Sequence, residues 1–306
     1  MKKKILIIGG GISKEKLISI KTAKAVYNEL KKKSYNVILS EPDNNLINRI
    51  KLFKPDVVFN ALHGQFGEDG YIQAVLESLK VKYTHSGVLA SSIAMDKVLS
   101  KEIYVKNKIL TPKYLKFKFS KDLINKNLII KIDKEFKFPV VIKPINEGSS
   151  VNVFICNKKN FIKNLKKLSF YKEVLIEKFI SGREIQVAIL GKKKLGAIEL
   201  VPKRKFYDYE AKYNVKAKTK HIIPVDLSKK NLEKILQIAQ KAHNIIGCKG
   251  VTRSDFKFYK NKFYLLETNT QPGMTKLSLV PEIAAYNGMN FIELIEWILK
   301  DASRNR

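Results

Sequence analysis

The chain has 306 residues, 45% hydrophobic and 28% charged, a make-up that suits two or three packed lobes and excludes a disordered or fibrous chain. No apolar run is long enough to cross a bilayer, and Ile5-Leu6-Ile7-Ile8 stops at Gly9-Gly10-Gly11, too short for the core of a signal peptide. The net charge of +31 raises nucleic acid as a partner. The lysines, however, run along the whole chain and are not gathered in one arm. Lys, Ile and Asn also share A/T-rich codons, so coding bias and a solvated surface are the simpler reading. Neither nucleic acid nor a membrane is expected as a partner. Cys156 and Cys248 lack metal spacing and read as reduced core thiols, with a cytoplasmic location as the default.

The first part alternates strands and helices. Lys4–Ile8 reads as a short apolar strand, followed by a glycine turn and a helix from about Lys14 to Lys33. Asn36–Leu39 and Asp56–Leu62 are further strands, Gly70–Lys80 is a helix, and Val81–Thr84 supplies another strand. This βαβ order predicts a parallel sheet with helices on both faces and ligands outside the carboxyl ends of the strands. Three polar clusters fall at those ends: Ser13/Glu15, His63-Gly64 and Thr84–Gly87. A second region holds a helix, a basic connecting stretch, and strands Val140–Lys143, Val151–Ile155 and Val174–Lys178. Ser181-Gly182 turns into the strand Glu184–Leu190, and a long polar loop runs over Phe206–Thr219. Helices follow at Lys229–Ile246, stopped by Gly247, and at Phe291–Lys300.

The chemistry concentrates in Leu265-Leu266-Glu267-Thr268-Asn269-Thr270-Gln271-Pro272-Gly273. Glu267 and Asn269 leave one face of a strand. Such oxygen ligands suit Mg²⁺, which usually carries a nucleotide's phosphates. Thr252–Phe258 and Phe263–Asn269 form a hairpin around Lys260-Asn261-Lys262. A three-residue loop, or a bulged equivalent, sets Asp255 opposite Glu267 and Arg253 opposite Asn269. Asp255, Glu267 and Asn269 then make a metal cradle, and Arg253 faces negative charge that grows during reaction. Phe256 and Phe258 are expected to pack with Tyr264 and Leu266 on the other face. The alternative is a surface hairpin with a cross-strand ion pair.

Lys143 ends a strand before the small-residue loop Glu147-Gly148-Ser149-Ser150, whose N–H groups can cradle phosphates. Lys97 is a second candidate phosphate lysine, although most lysines in such a chain are surface charge. Glu177-Lys178-Phe179-Ile180 reads either as a hinge holding an adenine, with Glu184 on the ribose, or as an edge strand entering a turn. Glu15 either complements a helix dipole or pairs a substrate ammonium. His63 taken alone reads as a core histidine satisfied by a backbone carbonyl.

In this order the motifs resemble the D-alanine–D-alanine ligase family of the ATP-grasp superfamily, over essentially the full length. The resemblance rests on Gly10-Gly11-x-Ser13-x-Glu15, Leu62-His63-Gly64 with Gly67-Glu68-Asp69-Gly70, and Met95-Asp96-Lys97. It continues through Lys143-Pro144, Glu147-Gly148-Ser149-Ser150-Val151, Glu177-Lys178, Phe206-Tyr207-Asp208-Tyr209-Glu210-Ala211-Lys212-Tyr213 and Arg253-x-Asp255. It closes on Glu267-x-Asn269-Thr270-x-Pro272-Gly273-Met274-Thr275-x-x-Ser278-Leu279. The implied fold is α/β, an ATP-grasp with an N-terminal parallel-sheet domain (residues 1–94) and two α+β lobes (95–180 and 181–306) clasping ATP.

The resemblance implies ligation of two D-alanines through an acyl phosphate for peptidoglycan synthesis, with ATP and two Mg²⁺ that Mn²⁺ could replace. Lys97, Lys143, Ser149 and Lys212 would contact phosphates, and Glu177, Lys178, Phe179, Ile180 and Glu184 would hold adenosine. Asp255, Glu267 and Asn269 would bind the metals. Glu15 would take the ammonium of the first D-alanine with His63 nearby, and Ser278 and Leu279 the carboxylate of the second. Arg253 and the Gly273 N–H would stabilise the anionic intermediate. Ser149, Tyr213 and Glu15 would link two loops over the site, Tyr213 favouring an amine acceptor over a hydroxyl. The family is commonly homodimeric. His85, Asn152, Gln271 and Leu277 depart from its usual glycine, glycine, serine and histidine. The rival readings are another ATP-grasp ligase and a basic nucleic-acid-binding protein on a ligase scaffold.

Overall fold

The computed structural model describes residues 3–120, 124, 126–149, 151–202 and 219–306. The N-terminal layer is a three-stranded parallel sheet, order β2-β1-β3, of Lys4–Ile8 (β1), Asn36–Ser40 (β2) and Val57–Asn60 (β3). The strand β1 is apolar on both faces because both are covered. Ile5 and Ile7 join a core with Ala23, Val26 and Leu30 of helix α1 (Lys16–Lys32), while Leu6 and Ile8 pack with α2 (Leu46–Phe53) and α3 (Tyr71–Ser78). This is the burial a parallel sheet requires. Helix α2 has no counterpart among the expected elements. The expected strand Val81–Thr84 reduces to a single bridge position, Tyr83, paired with Val58 and Ser303.

Helices α4 (Val88–Met95) and α5 (Lys97–Lys106) follow, and Asp96 caps α5 by accepting from the N–H of Val98 and Leu99. A four-stranded antiparallel sheet comes next, order β4-β7-β5-β6: Tyr114–Lys118 (β4), Val140–Pro144 (β5), Phe154–Cys156 (β6) and Glu173–Lys178 (β7). Its core includes Phe136 of α6 (Lys126–Phe136) and Phe161 of α7 (Phe161–Lys167). Strand β4 lies in the stretch expected to be a basic connection. Its alternation of Leu115 and Phe117 with Lys116 and Lys118 is that of an edge strand with one wet face. Strand β6 begins three residues after the expected Val151, because Ser149, Val151 and Asn152 lie in turns.

The third sheet has five antiparallel strands in the order β10-β9-β8-β11-β12: Arg183–Leu190 (β8), Lys193–Val201 (β9), Lys220–Ile222 (β10), Val251–Tyr259 (β11) and Lys262–Asn269 (β12). Helix α8 (Lys229–Ile246) covers one face through Ile235, Ala239, Ala242 and Ile246, with Ser228 as N-cap and Gly247 at φ +80° as its stop. The other face shares a core with α9 (Leu279–Tyr286), α10 (Phe291–Asp301) and the N-terminal layer. Asn290 and Glu293 close a capping box on α10. Both cysteines are buried and free.

The β11–β12 hairpin turns through two residues, Lys260 and Asn261, both at positive φ, as a two-residue turn matched to strand twist requires. A bulge between Asp255 and Phe256 restores the expected pairings, Arg253 with Asn269 and Asp255 with Glu267. The bulge also corrects one expectation. Phe263 and Leu265, not Tyr264 and Leu266, join Phe256 in the core, and Leu266 turns to the same side as Glu267. One extra residue on β12 flips the faces on its far side.

Candidate active site

Between the four-stranded and five-stranded sheets lies a cleft walled by Val141, Val153, Phe179, Ile180 and Leu266, with Lys97, Lys143, Glu177, Glu184, Asp255 and Glu267 among its polar groups. Lys143 Nζ lies 2.5 Å from Glu177 Oε1, and Lys101 Nζ lies 3.0 Å from Oε2. Burial alone would raise the Glu177 carboxyl, but the two ammoniums hold it below the usual range. Glu184 Oε2 accepts from Lys257 Nζ at 2.9 Å. The Lys178 side chain leaves the cleft: its Nζ donates to the carbonyls of Phe136 and Lys137 at 2.6 and 3.2 Å, at the end of α6. Only its backbone can serve a ligand here.

A second cavity of about 740 Å³ opens between the N-terminal layer and the five-stranded sheet, a size suited to small ligands. Glu15, His63, Arg253, Asn269, Gly273, Ser278, Leu279 and the exposed Leu277 line it. Glu15 immediately precedes α1 but caps no N–H with its side chain; it accepts instead from Ser149 Oγ of the small-residue loop. That contact requires glycine at 148, since a Cβ there would sit 2.6 Å from Glu15 Oε2. His63 is not held by a backbone carbonyl. Its ring contacts Thr22 Oγ1 at 2.9 Å and Glu68 Oε1 at 3.3 Å. Burial pushes the Glu68 carboxyl up, and the charge of Glu15 adds to this against the pull of His63. Thr84–Gly87 does not line the cavity. Ser86 instead exchanges hydrogen bonds with Lys249 at 3.2 Å, because the third sheet packs over that strand end.

The wall between cleft and cavity is the hairpin itself. Arg253 forks onto Asp255, Nε to Oδ1 at 2.8 Å and Nη2 to Oδ2 at 3.0 Å. Asp255 borders the cleft and Arg253 the cavity. Lys97, Glu147, Gly148 and Glu267 border both. Lys97 Nζ donates to Glu147 O at 2.7 Å and lies 3.4 Å from Glu267 Oε2. Two carboxylates and the Asn269 amide thus converge where the two spaces meet, an all-oxygen set that fits Mg²⁺ with phosphate oxygens completing the shell. Among the described residues no group of three or more His, Cys, Asp or Glu side chains is arranged to hold a metal. Ser278 precedes α9, and its Oγ accepts from the Thr275 N–H at 3.0 Å. A Cβ at Gly273 would approach that Oγ to 3.0 Å, so glycine keeps the strap close to Ser278.

Lys212 and Tyr213, with the loop around them, lie outside the described residues. Sequence reasoning missed Lys101, one helical turn after Lys97 on α5, because nothing separates it from the other lysines. It also missed His221, whose Nδ1 sits 2.7 Å from Glu282 Oε2 on the cavity's rim.

A family model described as the D-ala D-ala ligase C-terminus matches residues 103–300, and one described as the D-ala D-ala ligase N-terminus matches residues 40–86. The chain belongs to the D-alanine–D-alanine ligase family. It is 71% identical over 306 residues to the D-alanine–D-alanine ligase of Pelagibacter ubique (strain HTCC1062), with 100% of both chains covered. It is 43% identical over 307 residues to that of Wolbachia pipientis wMel, covering 99% of this chain and 95% of the relative. The crystal structure of D-alanine–D-alanine ligase from Bacillus anthracis complexed with ATP superposes with a TM-score of 0.83 at 31% identity, covering 98% of this chain and 97% of that one. The α/β architecture of one parallel and two antiparallel sheets is the ATP-grasp fold of these ligases.

Proposed function

We propose that the chain joins two D-alanines into D-alanyl-D-alanine for peptidoglycan precursors, with ATP bound in the cleft and the amino acids in the cavity. The observation that carries this reading is the junction at Lys97, Gly148 and Glu267, which border both spaces. A terminal phosphate and a carboxylate can meet only where a nucleotide site opens into an amino-acid site.

In this reading Lys97, Lys143, Lys212 and the Ser149 loop hold the phosphates. Glu177, Phe179, Ile180, Glu184 and the Lys178 backbone hold adenosine. Asp255, Glu267 and Asn269 would hold Mg²⁺, which when bound neutralises charge on the phosphate oxygens. Glu15 pairs the ammonium of the first D-alanine. The carboxylate of that D-alanine attacks the terminal phosphorus, ADP departs, and an acyl phosphate remains. Ser278 and Leu279 orient the second D-alanine, whose amine attacks the acyl carbon with loss of a proton. Arg253 and the Gly273 N–H face the resulting oxyanion, which collapses with expulsion of phosphate. Positioning and charge carry most of the rate. Ser149 on Glu15, joined by Tyr213, shuts the acyl phosphate from water.

The domain division at residues 94 and 180, a cytoplasmic homodimer, and an amine-selective acceptor site governed by Tyr213 belong to the same proposal. Among the described residues no helix is long and apolar enough to cross a membrane. The decisive assay measures phosphate release with D-alanine, L-alanine or D-lactate as acceptor and identifies the product by mass. Dipeptide from D-alanine alone is the expected result. Equal turnover with D-lactate at neutral pH rejects the acceptor assignment, and absence of D-alanyl-D-alanine rejects the reading.

A further inference from the structure

Lys101 is fully buried and does not line the cleft. Its Nζ reaches Glu177 Oε2 at 3.0 Å, donates to Thr111 Oγ1 at 2.6 Å, and lies 5.7 Å from the centre of the Tyr114 ring. Glu177 gives its other oxygen to Lys143, and Glu177 and Lys143 both face the cleft. We propose that Lys101 is a positioning residue for the nucleotide: it occupies one oxygen of Glu177 so that Lys143 is free to turn toward a phosphate. The inference rests on the reading that ATP lies against Glu177 and Lys143.

The argument is one of charge and geometry. A fully buried carboxylate with one cation holds that cation closely, because separating them strands a charge in a poorly screened interior. With Lys143 as sole partner, the pair would be closed and its ammonium turned away from phosphate. Two ammoniums on one carboxylate leave a surplus positive charge in the wall, and only Lys143 can present it to the cleft. Lys101 cannot leave, since Thr111 and the Tyr114 ring hold its ammonium from the other side.

The charged and titratable groups around Lys101 are Glu177 from β7, Lys143 from β5, Glu267 from β12 and Tyr114 from β4. Burial lowers the Lys101 pKa to about 8 against the attraction of Glu177. The surplus charge is therefore present below that pH and lost above it.

The test is steady-state kinetics of Lys101→Met. The KM for ATP should rise about tenfold or more while the KM for the first D-alanine stays within about twofold. In the wild type, kcat/KM for ATP should fall as pH rises through about 8, and the variant should lack that fall. A folded variant with unchanged KM for ATP overturns the proposal. If the variant does not fold, calorimetric titration of the wild-type enzyme with MgATP at about pH 7 and about pH 9 carries the test. Weaker binding at the higher pH is expected, and equal affinity overturns the claim. Lys143→Met separates the two levels. If it also leaves the KM for ATP unchanged, the nucleotide-site reading fails. If it raises that KM and Lys101→Met does not, only the role of Lys101 fails.

Discussion

Gln271, in the strap after β12, reaches across to the N-terminal layer, where its Oε1 accepts from Asn60 Nδ2 at 2.8 Å. Its Nε2 donates to the Leu62 carbonyl, and the side chain is 2% exposed. Gln271 therefore ties the third sheet to the first, between Thr270 and Pro272, which line the larger cavity. Gln271→Ala should lower stability by about 1–3 kcal/mol, since it orphans the buried Leu62 carbonyl and one N–H of Asn60 Nδ2, which keeps only its bond to the Gly67 carbonyl. Urea unfolding measures this. An unchanged midpoint would remove Gln271 as an interdomain tie.

Glu15→Gln keeps an acceptor for Ser149 but loses the negative charge facing the cavity. The KM for the first D-alanine should rise about tenfold or more, with the KM for ATP changing far less. An unchanged KM for the first D-alanine counts against the ammonium role.

Asn152 sits at φ +56°, and its Nδ2 donates to Tyr171 Oη at 2.8 Å. Tyr171 donates in turn to Glu147 Oε1 at 2.9 Å, which also accepts from Lys14 Nζ at 3.3 Å. Asn152→Gly relieves a left-handed conformation worth roughly 1 kcal/mol and removes a hydrogen bond of similar size. Global stability should therefore shift by less than about 1 kcal/mol, while hydrogen exchange in 148–152 speeds up. Slower exchange there would show that the asparagine does not brace the loop.

His85 is buried at φ +71° against the edge of Phe59. Burial pulls its pKa down to about 3, with Arg306 and then His63 adding to the effect. Burial likewise lowers His243 to about 4, against the pull of Asp301. Both are neutral when folded, whereas in the unfolded chain they take up protons below their ordinary value of 6.5. Stability is therefore lost as pH falls below that value, by up to about 1.4 kcal/mol per pH unit for each histidine. His85→Gly should reduce that slope by up to about 1.4 kcal/mol per pH unit between roughly pH 6 and pH 5. Unfolding free energies measured across this range decide it. An unaltered slope would mean that His85 is protonated in the folded chain.

The local part of the site was legible because it lies within one hairpin. The strand period sets Glu267 and Asn269 on one face, and a short turn sets Asp255 and Arg253 opposite them. The bulge was anticipated as a way to keep those pairings, but not its effect on Leu266. One extra residue leaves the composition of a strand unchanged and reverses its faces. Likewise Tyr83 makes bridges rather than a strand, because pairing depends on neighbours that propensity does not see.

By itself the sequence determined the family motifs, the side-chain oxygens of Glu267 and Asn269, the strand that carries them, and the small-residue loop. Periodicity and spacing are local properties, and local geometry translates them directly. Only the tertiary structure decided that Lys97, Lys101 and Lys143, among 59 Lys and Arg residues, are buried, and that His63 rests on Thr22 and Glu68. It alone brought Gln271 to Asn60 across 211 residues of sequence. Those contacts form because the parallel and five-stranded sheets close on a shared core and α5 packs against the four-stranded sheet, and the free energy of desolvating a charge or an amide depends on what the rest of the chain packs around it.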